Sequence, residues 1–411
     1  MRLATSPAPG TPPARSHSGP GGLGVRFGDT LFHAVEEDKW DDAVAAARAR
    51  GSAPVPLGSV PAARLHVVVQ KGRLFQQEHP GVPVLLDKGR YLVVDLGPEE
   101  ARKCDHGDLP CYAVRPLADF TTAFDTRAPV AAGSARPEVQ AVVDRIVRAP
   151  YEADLTRLVE FGTRHSTSPQ YAAAAKWTRE QFKGLGFATR LQTITVGGKP
   201  SQNVIAEKIG SGAAPRGVVI VSAHLDSINI AGGPAAPAPG ADDDGSGSAG
   251  GLAIARALKD VPNTHDLRVV LFGGEEEGLF GSRKYVGSLS APQRRRIRAV
   301  VHMDMIASLN SPAPTVLLEG AALSQVVIDG LAGAAATYTR LAVQTSLHPF
   351  NSDHVSFLDA GVPAVLTIEG TDDANHNIHS DKDTLAHINW DLALDILRMN
   401  VAFITQSLEH Q

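Results

Sequence analysis

Past Pro137 the chain alternates between long stretches with apolar residues at helical spacing and short β-branched runs. The spacing predicts one long helix from Val139 through Gly162. A second, Gln170–Leu185, ends at Gly186, where a helix C-cap is expected. Val218–Ser222 is a continuous β-branched run, as a strand buried on both faces requires. A helix over Ser246–Leu258, strands over Leu267–Phe272, Val300–Met305 and Ala364–Ile368, and a helix over Trp390–Glu409 follow. This alternation predicts an α/β fold with a largely parallel, mixed sheet sandwiched between helical layers. Ahead of it, from about Val25 to Asp125, lies a smaller α+β pattern. It has a helix over Asp38–Arg50, with Trp40, Ala43 and Ala47 at helical spacing, and strands over Leu65–Gln70, Val82–Leu86 and Tyr91–Leu96.

Pro- and Gly-rich punctuation sets the boundaries. Residues 1–24, rich in Pro, Gly, Ala and Ser, predict a disordered leader, and they lack the apolar core of a signal peptide. The stretch 127–137 predicts a linker. The expected organisation is therefore a leader (1–24), an accessory or prosegment domain (25–126), a linker (127–137) and a catalytic domain (138–411).

The chain has 411 residues, 43% of them hydrophobic and 20% charged, which is ordinary for a soluble globular protein and enough for two cores. The net charge of −5 and the absence of a long basic run argue against a nucleic-acid partner. Arg294–Arg296 is the densest basic run, and on a helix it is a solvated face. No stretch approaches the roughly 18 consecutive apolar residues of a membrane span. The two cysteines, Cys104 and Cys111, flank a short segment, so a disulfide between them, and with it a secreted or periplasmic location, is the expectation.

Candidate chemistry collects where the predicted strands end, which is where open α/β sheets bind ligands. His224-Leu225-Asp226 follows the strand Val218–Ser222. An imidazole there can bind zinc, and a carboxylate two residues on can fix its tautomer, although a single His at a strand end is ordinarily structural. Asp242-Asp243-Asp244, set between glycines, leads into a helix. Three adjacent carboxylates repel one another, and a cation relieves that cost. The alternating ligands of an EF-hand are absent. In Glu275-Glu276-Glu277, after the next strand, one carboxylate can ligate a metal while its neighbour addresses water. Alternation places His302 and Asp304 on one face of a strand, with Asp304 nearer its end and the better ligand. His379 follows the last strand. Each group alone fits an acidic loop or a satisfied histidine as well as a metal site.

The ordered set is more specific. Ala223-His224-Leu225-Asp226-Ser227, Gly240-Ala241-Asp242-Asp243-Asp244-Gly245, Gly274-Glu275-Glu276-Glu277-Gly278, Met303-Asp304-Met305 and Ile378-His379-Ser380 together resemble the di-zinc aminopeptidases. That family includes bacterial leucyl aminopeptidases and, more distantly, glutamate carboxypeptidases. Ser201–Ala206 and Ser352-Asp353-His354 also look like the family, and the resemblance runs from about Pro150 onward. It implies a zinc exopeptidase fold and two Zn²⁺ ions bridged by Asp243. His224 and Asp304 would complete one site, and Glu276 and His379 the other. Glu275 would be the general base, with Asp226 supporting His224. A peptide is the implied substrate, with trimming from the N-terminus ranked above carboxypeptidase or dipeptidase chemistry, then glutaminyl cyclase chemistry, then a non-enzymatic binding protein. Members often carry a Tyr in the loop before the last His, where this chain has Asn375 and His376.

Overall fold

A computed structural model describes residues 1–8, 22–49, 51–104, 112–127 and 133–409. The chain divides into two compact units. The N-terminal one comprises Met1–Ala128 together with Gln344–Asn351 and Thr371–His376, and the C-terminal one holds the remainder.

In the N-terminal unit, β1 (Arg2–Pro7) pairs antiparallel with β3 (Thr30–Val35) and with β4 (Val55–Ser59). β2 (Gly22–Phe27) lies on the other side of β3. A separate sheet is formed by β5 (Leu65–Gln70), β6 (Val84–Lys88), β7 (Tyr91–Asp95) and β8 (Tyr112–Pro116) in the order β6-β7-β5-β8. β9 (Thr122–Thr126) runs parallel to β2 and also pairs with residues 344–345. The helices are α1 (Trp40–Ala49), α2 (Leu74–Glu78) and α3 (Pro98–Lys103).

The disordered leader expected over residues 1–24 is corrected for its described parts. Residues 2–7 form β1, with Leu3 and Ala4 buried, and β2 starts at Gly22. The Pro- and Gly-rich composition of the following residues had masked a six-residue strand that buries two apolar side chains. The boundary at 127–137 is also incomplete as a division, because two later segments pack into the N-terminal unit. Cys104 is a buried free cysteine rather than half of the expected disulfide, and Cys111 lies outside the described residues.

The C-terminal unit opens with α4 (Pro137–Val143) and α5 (Arg148–Val159) in place of one long helix. Pro150 explains the break. It lacks an N–H and is tolerated only in a first turn, so a new helix has to start just before it. α6 (Pro169–Gly184) begins with Ser168 accepting from the Tyr171 N–H, and Gly186 beyond its end has φ of 89°. The sheet contains β10 (Ala188–Val196), β11 (Lys199–Lys208), β12 (Val218–His224), β13 (Asp266–Phe272), β14 (Ile297–Met303), β15 (Thr315–Gly320) and, after β16 (Ala342–Ser346), most of which belongs to the N-terminal unit, β17 (Ala364–Glu369). Its order β10-β11-β13-β12-β14-β17-β15 has β13, β12, β14 and β17 mutually parallel and the outer pairs antiparallel. This is the mixed, centrally parallel sheet expected from the sequence.

Alternation along the central strands feeds two cores. Val219, Val221, Ala223, Val269, Leu271 and Val301 pack in one with α7 (Gly247–Leu258), α10 (Gln325–Tyr338) and α12 (Trp390–Glu409). Val218, Ile220, Val270, Phe272 and Val300 pack in the other with α8 (Phe280–Gly287) and α11 (His354–Asp359); α9 (Ala291–Arg296) leads into β14. Helices thus cover both faces, so the strand centres had to be apolar on both faces, as Val218–Val221 and Val269–Phe272 are. No helix among the described residues is long and apolar enough to cross a membrane.

Candidate metal centre

The parallel strands deliver their carboxyl ends to one place. His224 is the last residue of β12, Asp304 follows β14, and Glu275 and Glu276 lie just past β13. Asp243 comes from the turn between β12 and α7, and His379 from the segment after β17. His224 Nε2 lies 3.1 Å from Asp243 Oδ1 and 3.5 Å from Asp304 Oδ1. His379 Nε2 lies 3.1 Å from Asp243 Oδ2 and 3.2 Å from Glu276 Oε2. Two groups result, His224–Asp243–Asp304 and Asp243–Glu276–His379, each with ligand atoms within 4.8 Å of one another. Asp243 belongs to both, offering one oxygen to each.

The three adjacent aspartates divide their work. Asp242 Oδ1 accepts the Ala307 N–H, and the Asp244 carboxylate accepts the N–H groups of His224, Gly247 and Met305. Those two carboxylates therefore tie the turn to its surroundings, and Asp243 alone turns into the site. Its backbone is held by Asp383, whose carboxylate accepts both the Asp242 and Asp243 N–H groups at 3.0 and 2.9 Å. Arg164, fully buried, donates to the carbonyls of Leu158, Leu225, Pro239 and Gly240 and so fixes the entry to the turn. Gly240 has φ of 53°, and a Cβ there would lie 2.5 Å from the Ser227 Cβ and 2.6 Å from the Asp243 carbonyl oxygen.

Asp226 sits behind His224 and organises the glutamate loop. Its carboxylate accepts the N–H groups of Glu275 and Glu276 at 3.4 and 3.2 Å, and its Oδ1 lies 3.7 Å from His224 Nδ1. Glu277, the third glutamate, points to Ser166 and His165 instead. Burial, with the Asp226 charge nearby, pushes its carboxyl up to about 9. On the other flank the Ser352 hydroxyl donates to Asp304 Oδ2 at 2.6 Å. With its one proton committed there, Ser352 accepts from His302 Nε2 at 2.8 Å, and the Ser222 hydroxyl then donates to His302 Nδ1 at 3.0 Å. His302 is thus a buried orienting neighbour.

The converging atoms fit a metal better than they fit one another. His224 Nε2, His379 Nε2, both oxygens of Asp243 and Glu276 Oε1 are buried and make no hydrogen bond to a protein group. Leaving such groups unsatisfied is costly unless a cation takes the lone pairs. Imidazole with carboxylate suits zinc, and three protein ligands per ion leave an open position, as catalytic sites require. The electrostatics agree. Burial raises the Asp243 carboxyl, yet the two imidazoles outweigh it and hold the group below the usual carboxylate range. Burial likewise disfavours charge on His224 and His379, but the surrounding carboxylates, Glu275 beside His224 and Glu276 beside His379 foremost, carry both well above the usual histidine value.

The site therefore brings together every residue that the resemblance implies as a ligand. Arg164, Ser166 and the backbone-holding role of Asp383 were missed. No ligand motif drew attention to Asp383, and Arg164 lies just past the long helix expected through Gly162.

A sheet of this topology with acidic and imidazole ligands at its carboxyl edge defines a metal-dependent hydrolase of the zinc-exopeptidase fold. Residues 203–404, just under half of the chain, match Peptidase family M28, and the chain is a metal-dependent peptidase similar to members of that family. It is 28% identical over 288 residues to leucine aminopeptidase 1 of Metarhizium robertsii, a match covering 65% of this chain and 71% of that enzyme. It is 31% identical over 256 residues to leupeptin-inactivating enzyme 1 of Streptomyces exfoliatus, covering 57% of this chain and 54% of the relative. Among solved structures it is similar to BSAP, a zinc aminopeptidase from Bacillus subtilis, with a TM-score of 0.56, 18% identity, and coverage of 63% of this chain and 94% of that one.

Proposed function

We propose that the chain is a two-zinc aminopeptidase that removes residues from the N-terminus of peptides. The observation that carries this reading is the pair of three-residue ligand groups joined through the two oxygens of Asp243. His224 and Asp304 would hold one ion and Glu276 and His379 the other, with Asp243 shared. When bound, such a pair supplies Lewis acidity, polarising a scissile carbonyl and lowering the pKa of water towards neutrality.

The chain's own residues do the rest. Glu275 is the general base; its side chain accepts the proton of the attacking water and afterwards delivers it to the leaving amine. Asp226 aims Glu275 and Glu276 by receiving both of their backbone N–H groups, so adjacent carboxylates serve different tasks. Ser352 and Asp383 orient Asp304 and Asp243. Aminopeptidase relatives support the choice of chain end.

Digestion of one peptide in free, N-acetylated and C-amidated forms tests the activity. The free and C-amidated forms should be shortened from the N-terminus at similar rates, and the N-acetylated form should persist. Trimming of the acetylated form from its other end would make the chain a carboxypeptidase.

A further inference from the structure

The segment Thr371–His376 packs in the N-terminal unit, although it lies between β17 and the metal-ligand candidate His379. Its anchor is a buried ion pair, Arg90 Nη1 to Asp372 Oδ2 at 2.9 Å, with the side chains 3% and 1% exposed. The next residue, Asp373, is seated just as closely. Gly89 has φ of 72°, and a Cβ on it would lie 2.0 Å from Asp373 Oδ1, so only a glycine leaves room for that carboxylate. Asp87 fixes the receiving turn by accepting the Gly89 N–H at 3.0 Å, and Arg73 lies 3.8 Å from Asp373.

The segment needs such an anchor. Thr371 and His379 have φ of 60° and 55°. Neither is a glycine, and a β-branched residue in that region is a true outlier. Backbone of this kind persists only where its surroundings over-determine it. On the far side the His379 carbonyl accepts the Ile230 N–H at 3.2 Å. The imidazole that completes the second ligand group is therefore carried on a strained segment held at one end by Ile230 and at the other by Arg90 and Gly89.

We infer that Arg90, with the Gly89 turn that receives Asp373, is a positioning element for His379, so that residues 1–128 are a permanent component of the peptidase rather than a removable prosegment. The inference rests on the two-zinc reading. The antiparallel pairing of Thr126 and Asp125 with Gln344 and Thr345 belongs to the same interleaving. A chain cut within 127–137 should accordingly keep its two pieces together through gel filtration.

Zinc binding to the full-length, chelator-stripped chain tests the idea by competition with a chromophoric chelator, for wild type, Arg90→Met, Arg90→Lys and Asp372→Asn. Wild type should take up two ions. Arg90→Met and Asp372→Asn should bind one ion as wild type does and the other about 10–100-fold more weakly, the usual effect of losing a residue that orients a ligand. Arg90→Lys should recover part of the loss. Should Arg90→Met fail to fold, Arg90→Lys and Asp372→Asn carry the test, with thermal melts run alongside. Lowered melting with both zinc affinities unchanged would make the ion pair merely structural and overturn the inference, as would separation of the cut pieces. A wild-type chain that binds fewer than two ions would overturn the two-zinc reading and this inference with it.

Discussion

Glu275 and Glu276 are adjacent, chemically identical and buried, yet they are assigned different work. Glu275→Gln keeps the shape of the side chain and leaves its backbone N–H on Asp226. No ligand atom of either group belongs to Glu275, so both metals should stay bound and the fold should be unchanged. Only the proton acceptor is lost. A positioned general base contributes about 10²–10⁴ in rate, which corresponds to about 3–5 kcal/mol of transition-state stabilisation. Glu276→Gln acts elsewhere. Its Oε2 lies 3.2 Å from His379 Nε2, and it is one of three residues in the second group. Losing an outer partner of a ligand costs about 10–100-fold in metal affinity, and losing a charged ligand should cost no less. Metal analysis beside kcat for the two variants is the assay. Excess zinc should restore part of the Glu276→Gln activity and none of the Glu275→Gln activity. If Glu275→Gln loses metal and Glu276→Gln keeps it, the roles are shifted by one residue and the reasoning is refuted.

Three further outcomes follow from the packing around the site. Arg164→Met removes the buried donor to four carbonyls and should cost about 3–5 kcal/mol in urea unfolding; a loss within about 0.5 kcal/mol would mean the guanidinium does not hold the turn. Asp383→Ala orphans the N–H groups of Asp242 and Asp243 and should lose about 2–5 kcal/mol of stability together with zinc affinity, whereas unchanged zinc binding would separate Asp383 from the site. In the metal-free chain His224 and His379 titrate well above the usual histidine value, so each must release a proton before ligating. Zinc affinity should therefore fall as pH falls from about pH 8 to about pH 6, with protons released on binding, and a flat profile in calorimetry across buffers would contradict this.

Much of this was legible in the amino-acid order because ligands at the ends of buried strands leave two signals at once. Val218–Ser222 is apolar on both faces since helices cover both, and His224 stands out at its end. Local residue type shows where a turn such as Asp242–Asp244 must be. It does not show which carboxylate faces inward, and only the resemblance to known enzymes singled out Asp243. What stayed hidden depends on partners far away in sequence. Arg164 matters through carbonyls up to Gly240, and Asp383 through N–H groups some 140 residues earlier. The strand at residues 2–7 escaped because its pairing with β3 and β4 is non-local, while the Pro- and Gly-rich stretch beside it dominated the composition. The interleaving of 344–351 and 371–376 with the N-terminal unit has no local signature at all.

The central claim is that one carboxylate, Asp243, serves two metal sites. A zinc-binding isotherm of Asp243→Ala, set beside those of Asp304→Ala and Glu276→Ala, tests it directly. Sharing predicts that Asp243→Ala weakens both of the two sites, whereas each of the other variants weakens one and leaves its neighbour near wild-type affinity. An Asp243→Ala chain that still binds one zinc ion as tightly as wild type would contradict it.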